Sequence, residues 1–176
     1  MAGENKIIER LINFNAYDEF GNFLGVTSVD LPELEALTET TSGAGIAGEI
    51  ESPLLGHYGS MTTTFKWRSL TQEAMTLSQQ RAHLVDLRGS QQVYDAASGL
   101  MKSMPIRTTM KIVPKTVSLG TLEPNAATDT EQEFEVLYLK QRVDKRVVIE
   151  IDKYNFKAVI NGYDALASVR SDLGLN

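Results

Sequence analysis

The chain contains no cysteine, so neither a disulfide framework nor a thiolate metal site is open to it. Its two histidines, His57 and His83, lie apart in sequence, and single histidines are read as hydrogen-bonded bystanders rather than ligands. The only tryptophan, Trp67, sits in an alternating stretch and reads as core. No apolar run approaches the roughly 20 residues that a membrane helix needs. The opening Met-Ala-Gly-Glu-Asn-Lys lacks an apolar signal core, so a soluble, intracellularly made protein is expected. Serines are plentiful, but none sits in a nucleophile elbow. There is no internal repeat and no domain boundary, so residues 1–176 are read as one domain.

Charge is present but uneven. Residues 1–51 hold ten Asp/Glu against Lys6 and Arg10, a net −8, so the rest carries +2 of the whole chain's −6. Such an acidic segment repels nucleic acid rather than binding it. Most of the remaining signal is period two, which marks half-buried strands. Phe134, Val136 and Tyr138 point one way from Glu133 and Glu135, and Val143 to Arg146 makes a polar turn. Val147 to Ile151 and Tyr154 to Ile160 then form two more strands, closing on the turn dipeptide Asn161-Gly162. Upstream, Arg10–Ala16, Phe23–Leu31, Met61–Arg68 and Pro105–Leu119 also read as strands, the last bent or at an edge at Pro114. Arg81–Ala97 reads as a hairpin turning at Arg88-Gly89-Ser90, Gly99–Ser103 as loop, and Gly120–Thr130 as a polar loop. Ser69 and Gln72 fit a capping box that opens the one good helix, with Leu70, Ala74 and Leu77 on one face. Asp164–Arg170 reads as a short terminal helix. The expected fold is mainly β, an antiparallel sandwich or barrel with one packed α-helix and a long protruding loop or hairpin.

That protrusion is Ser42 to Ser60, with five glycines and a proline in 19 residues. The preceding Glu33 to Thr41 fits either more strand or a helical turn. A connection so long in a compact domain is functional or disordered. Ile46, Ile50, Leu54, Leu55 and Tyr58 give it too much apolar surface for a flexible linker. It is read as an excursion, residues 40–62, that leaves the domain and docks on something else. Gly43-Ala44-Gly45-Ile46-Ala47-Gly48 matches the dinucleotide fingerprint in letters. The fingerprint needs a buried strand before it and a helix after it. Here polar residues precede it, and Pro53 and Gly56 follow. Glu131, Glu133 and Glu135 lie on one strand face with no matched acid or base nearby. The residues thus argue against an enzyme and call for no cofactor and no metal.

Three stretches together resemble the major tail tube protein of contractile-tailed bacteriophages. They are Gly25-Val26 with Val29-Asp30-Leu31-Pro32-Glu33-Leu34, the glycine loop from Gly43 to Gly48, and a C-terminal set. That set comprises Ile149-Glu150-Ile151-Asp152, Ile160-Asn161-Gly162-Tyr163-Asp164-Ala165-Leu166, Arg170 and Leu173-Gly174-Leu175. Between Gln79 and Thr130 no residue-by-residue match is made. The resemblance implies hexameric rings stacked into a hollow tube inside a contractile sheath, assembled in the bacterial host cytoplasm. It implies as partners other copies of the chain, the tail sheath, tape measure, baseplate and tail-terminator proteins, with DNA only in transit. Gly43, Gly45, Ile46, Gly48, Ile50, Leu54, Leu55 and Tyr58 become the ring-stacking arm. Glu33, Glu35, Glu39, Glu49 and Glu51 become an acidic lumen or interface. The tube of a phage-tail-like bacteriocin or a secretion apparatus fits the same pattern. More distant readings are a monomeric β-sandwich binding module, for example for carbohydrate, and a nucleotide-binding enzyme.

Overall fold

The structure is a computed structural model that describes residues 6–175. Residues 1–5, the start of the six-residue opening without an apolar signal core, and Asn176 lie outside the described residues. The chain runs through β1 (Lys6–Tyr17), β2 (Ser28–Asp30), β3 (Ala36–Ser42), β4 (Glu49–Tyr58) and β5 (Thr62–Trp67) into α1 (Gln72–Leu77). It continues through β6 (His83–Asp95), β7 (Leu100–Ser118), β8 (Thr130–Val143), β9 (Arg146–Asp152), β10 (Lys157–Ile160), β11 (Tyr163–Asp164) and α2 (Ala167–Asp172). The fold is mainly antiparallel β, as the alternation predicts.

Nine strands form one sheet in the order β1-β6-β7-β8-β9-β10-β11, with β5 on β8 and β2 on β5. The sheet forks at β8. Along one side β8 pairs with β7. Along the other, residues 130–135 pair with β5 and residues 138–143 with β9. The fork lets β2 and β5 turn across the face of β6 and β7. Val29 and Leu31 therefore stand over Leu11, Phe14, Leu87 and Ile106. The core fills the space between, with Met61, Phe65, Trp67, Val85, Met110, Ile112, Phe134, Val136 and Ile151 buried. Phe65 and Phe134 meet edge to face at 5.3 Å between ring centroids, the geometry that aromatic quadrupoles favour. Trp67 is core, as expected.

Several local expectations are corrected. Arg88-Gly89-Ser90 is not a turn: β6 is one continuous strand with β1 on one side and β7 on the other. Gly89 is there for closeness. A Cβ on it would lie 2.8 Å from Ile106 Cγ2 and 3.0 Å from Leu11 Cδ1. The chain turns instead at Asp95–Gly99, where Asp95 accepts from Ala97 and Gly99, and Leu100–Ser103 is strand rather than loop. Only Ser28–Asp30 of the Phe23–Leu31 stretch is strand. Gly25 takes a left-handed φ of 67° and breaks the extension. α1 starts later than the capping box suggests: the Thr71 hydroxyl caps it by accepting from Ala74 N. Ala74 and Leu77 are buried, whereas Leu70 is exposed. Pro114 does sit at an irregularity, in the register shift between Pro114 and Thr116. Residues 153–156 form a turn, with Phe156 at a φ of 49°, so the last strand of the meander is short. Asp164 belongs to β11, and α2 follows it.

Candidate functional site

The stretch from Ala36 and the glycine-rich excursion together make a hairpin, β3–β4, a two-stranded sheet separate from the large one. Its tip holds Gly43, Gly45 and Gly48 at φ of 134°, 94° and 120°. An L side chain rarely adopts these angles, which explains the glycines without any nucleotide. Ile46 N donates to Gly43 O across the tip. The strands are exposed almost throughout. Directly opposed residues share a face. The pairs Thr40↔Glu51 and Ser42↔Glu49 therefore put both carboxylates on one face, while Thr41↔Ile50 and Glu39↔Ser52 occupy the other. Glu51 accepts from the Thr38 hydroxyl at 2.8 Å. Glu33 and Glu35 lie ahead of β3 and are exposed. The five acids therefore do not share one face.

The base of the hairpin is irregular. Between the pairs Ala36↔Tyr58 and Thr38↔Pro53, the four residues Leu54–His57 oppose Leu37 alone. This bulge pushes Leu54 and Leu55 into solvent, each more than half exposed. Gly56, by contrast, is pressed on the buried Leu166: a Cβ there would lie 2.5 Å from Leu166 Cγ. The His57 ring meets Phe156 edge on, and Lys153 Nζ donates to Gly59 O at 2.6 Å. Tyr58 is half-buried against the core. The C-terminal motif forms the seat. Asn161 and Gly162 make the left-handed turn. Asp164 accepts from Leu166 N, and Arg170 bonds both its oxygens and Phe156 O. The Arg170 guanidinium holds the Asp164 carboxyl below its ordinary value.

A second exposed feature is β1. It pairs with β6 along one side, and its other side meets only an isolated bridge from Tyr17 to Phe23 among the described residues. Ile7, Ile8, Leu11 and Ile12 on it are about half exposed. The sequence shows their apolar run but not that the strand lies at an edge.

The third is charged. Arg88, Arg107 and Arg142 stand directly opposite one another on β6, β7 and β8, on the face away from the core. Arg107 and Arg142 join Lys145, from the β8–β9 turn, around a cleft of about 390 Å³. Asp86 answers only part of this charge, accepting from Arg88 at 2.6 Å and Arg107 at 2.7 Å. Burial raises its pKa, but the bonds from Arg107, Arg88 and Thr109 outweigh burial and hold it below the ordinary value. Farther along the same face, Glu150 takes Lys140, Lys157 and the Tyr138 hydroxyl. Burial, then that bond, pushes the Tyr138 phenol up to about 12. The row of arginines escaped sequence reading because it exists only in the strand register.

His83 is buried with Nε2 3.0 Å from Gln79 O, and His57 Nδ1 lies 2.7 Å from Leu55 O. No group of three His, Cys, Asp or Glu among the described residues is placed to hold a metal.

These features define a mainly antiparallel β protein whose distinctive chemistry lies on an edge, a hairpin and a charged sheet face. Residues 8–174 match the family model of phage tail tube protein FII, and the chain belongs to that family, whose role is structural. The comparison with curated proteins gives no match. In fold the chain is similar to a chain in the structure of the sheath/tube terminator of PVC, an extracellular contractile injection system, in its extended state. The identity is 11% and the TM-score 0.53, over 77% of this chain and 97% of that chain. It is similar also to a chain of the PVC sheath–tube complex in the extended state, with 10% identity and a TM-score of 0.52 over 74% of this chain and 88% of that chain.

Proposed function

We propose that the chain closes into hexameric rings that stack into the hollow inner tube of a contractile tail, and that it catalyses no reaction. The observation that carries this is the long free edge of β1 with its exposed isoleucines and leucine, on a chain of the tail tube family. Edges of this length are aggregation hazards unless another chain covers them. A ring removes them by continuing the sheet from copy to copy. Each contact buries on the order of 1,000 Å² or more. The β3–β4 hairpin is the arm between rings. The sheath surrounds the tube, the tape measure protein occupies it during assembly in the host cytoplasm, and terminator and baseplate cap its ends. DNA passes through without adhering.

Negative-stain microscopy of the purified protein tests the reading: rings or tubes are expected, and uniform single subunits at high concentration would overturn it. The likeness in fold to parts of an extracellular contractile injection system keeps a second reading beside the first, the tube of a genome-free particle. Capsid genes next to this one favour the phage tail, and their absence favours the particle.

A further inference from the structure

The arginine row and the hairpin carboxylates are each short of partners. Among the described residues Arg142 and Lys145 form no ion pair, and neither do Glu39, Glu49 and Glu51. Among the described residues, only Asp86 and the exposed Asp144 lie close in strand or turn to offset Arg88, Arg107, Arg142 and Lys145. Like charges directly opposite on neighbouring strands are destabilising. The row thus favours an anion from elsewhere.

Among the described residues its own hairpin does not supply one, since neither Glu49 nor Glu51 forms an ion pair with Arg107, Arg142 or Lys145. The cationic cleft lies at the Arg146 end of β9, beside the β8–β9 turn. The hairpin is rooted at the other end, where Lys153 holds Gly59 and Phe156 meets His57. The seven residues of β9 separate these points by about 20 Å. A surface at one end of a subunit that complements a surface at its other end produces head-to-tail contact, which propagates as an open stack.

We propose that the cleft between Arg107, Arg142 and Lys145 is the receptor for the Glu49/Glu51 face of the hairpin of a second copy in the next ring. This rests on the tube reading and names the partner surface that the arm meets. The contact is electrostatic. It steers the incoming ring and weakens as salt shortens the screening length from about 10 Å at 0.1 M to about 3 Å at 1 M. It also neutralises cations that would otherwise hold phosphates.

The test is a charge swap. Glu49→Lys with Glu51→Lys, and separately Arg142→Glu with Lys145→Glu, are purified and imaged beside the wild type. All four side chains lack ion pairs among the described residues, so each variant keeps a wild-type circular dichroism spectrum. Each double variant is expected to stop at single rings or very short stacks. The combined four-fold variant, in which both surfaces are reversed, regains long tubes, because attraction is restored with opposite polarity. Full-length tubes from either double variant overturn the proposal, as does a folded four-fold variant that does not stack. A wild type that forms neither rings nor tubes overturns instead the tube reading on which the proposal rests.

Discussion

Gly56 and Leu166 are 110 positions apart, yet they decide how the hairpin leaves the body. Gly56 has a φ of 66° and no room for a Cβ beside Leu166. Gly56→Ala therefore incurs both overpacking and left-handed strain, about 2–4 kcal/mol together. Denaturant unfolding measures it, and an unchanged midpoint would contradict the packing. Asp86 offers a pH-dependent check. It is nearly buried, with two arginines and the Thr109 hydroxyl on its oxygens. Its folded pKa lies below the ordinary 3.8. Its stabilisation is therefore complete above that value and is lost as the pH falls below it. Asp86→Asn is expected to lower stability at pH 7 by about 1–2 kcal/mol, since both arginines are half exposed and screened. The gap between the two proteins closes below about pH 3.8, and a constant gap in acid would disprove the assignment.

At the scale of elements, strands were legible wherever one face is buried and the other wet. Met61–Arg68 and the start of β8, from Glu131 to Val136, are of this kind, because alternation then follows from burial alone. Beyond Val136 a register shift turns Tyr138 away from Phe134 and Val136 and brings Leu139 to the core. β6 was not legible. It is central, and its Arg-Gly-Ser carries turn residues for a packing reason that only the neighbours Ile106 and Leu11 reveal. The hairpin was half legible. Glycines and exposed apolar residues marked an unusual segment, but the bulge that turns Leu54 and Leu55 outward depends on the β3–β4 register. Deleting Gly45 to Leu55 is expected to leave the large sheet folded, since none of the deleted residues is buried. Long tubes should disappear while a folded circular dichroism spectrum persists. Tubes of wild-type length from that deletion would exclude the hairpin as the stacking arm.

For the whole molecule the surface proposed to close the ring is the β1 edge. Ile12 is 56% exposed, and its replacement removes little from the subunit's own packing. Ile12→Lys is therefore expected to change subunit stability by less than about 0.5 kcal/mol. It places a cation on the free edge, a common natural device against strand pairing. Size-exclusion chromatography should show a shift from rings to single subunits, and undiminished rings would place the ring contact elsewhere.

The order of apolar and polar residues, read alone, determined a mainly β chain, the Asn161-Gly162 turn, the core position of Trp67 and the oddity of the glycine-rich stretch. Each depends on neighbours in sequence or on a two-residue period. Only the tertiary structure decided which strand lies at the edge, which glycine is tight rather than bent, and that Arg88, Arg107 and Arg142 stand in one row. Those depend on register between strands far apart along the chain, where a shift of one residue turns every side chain to the opposite face.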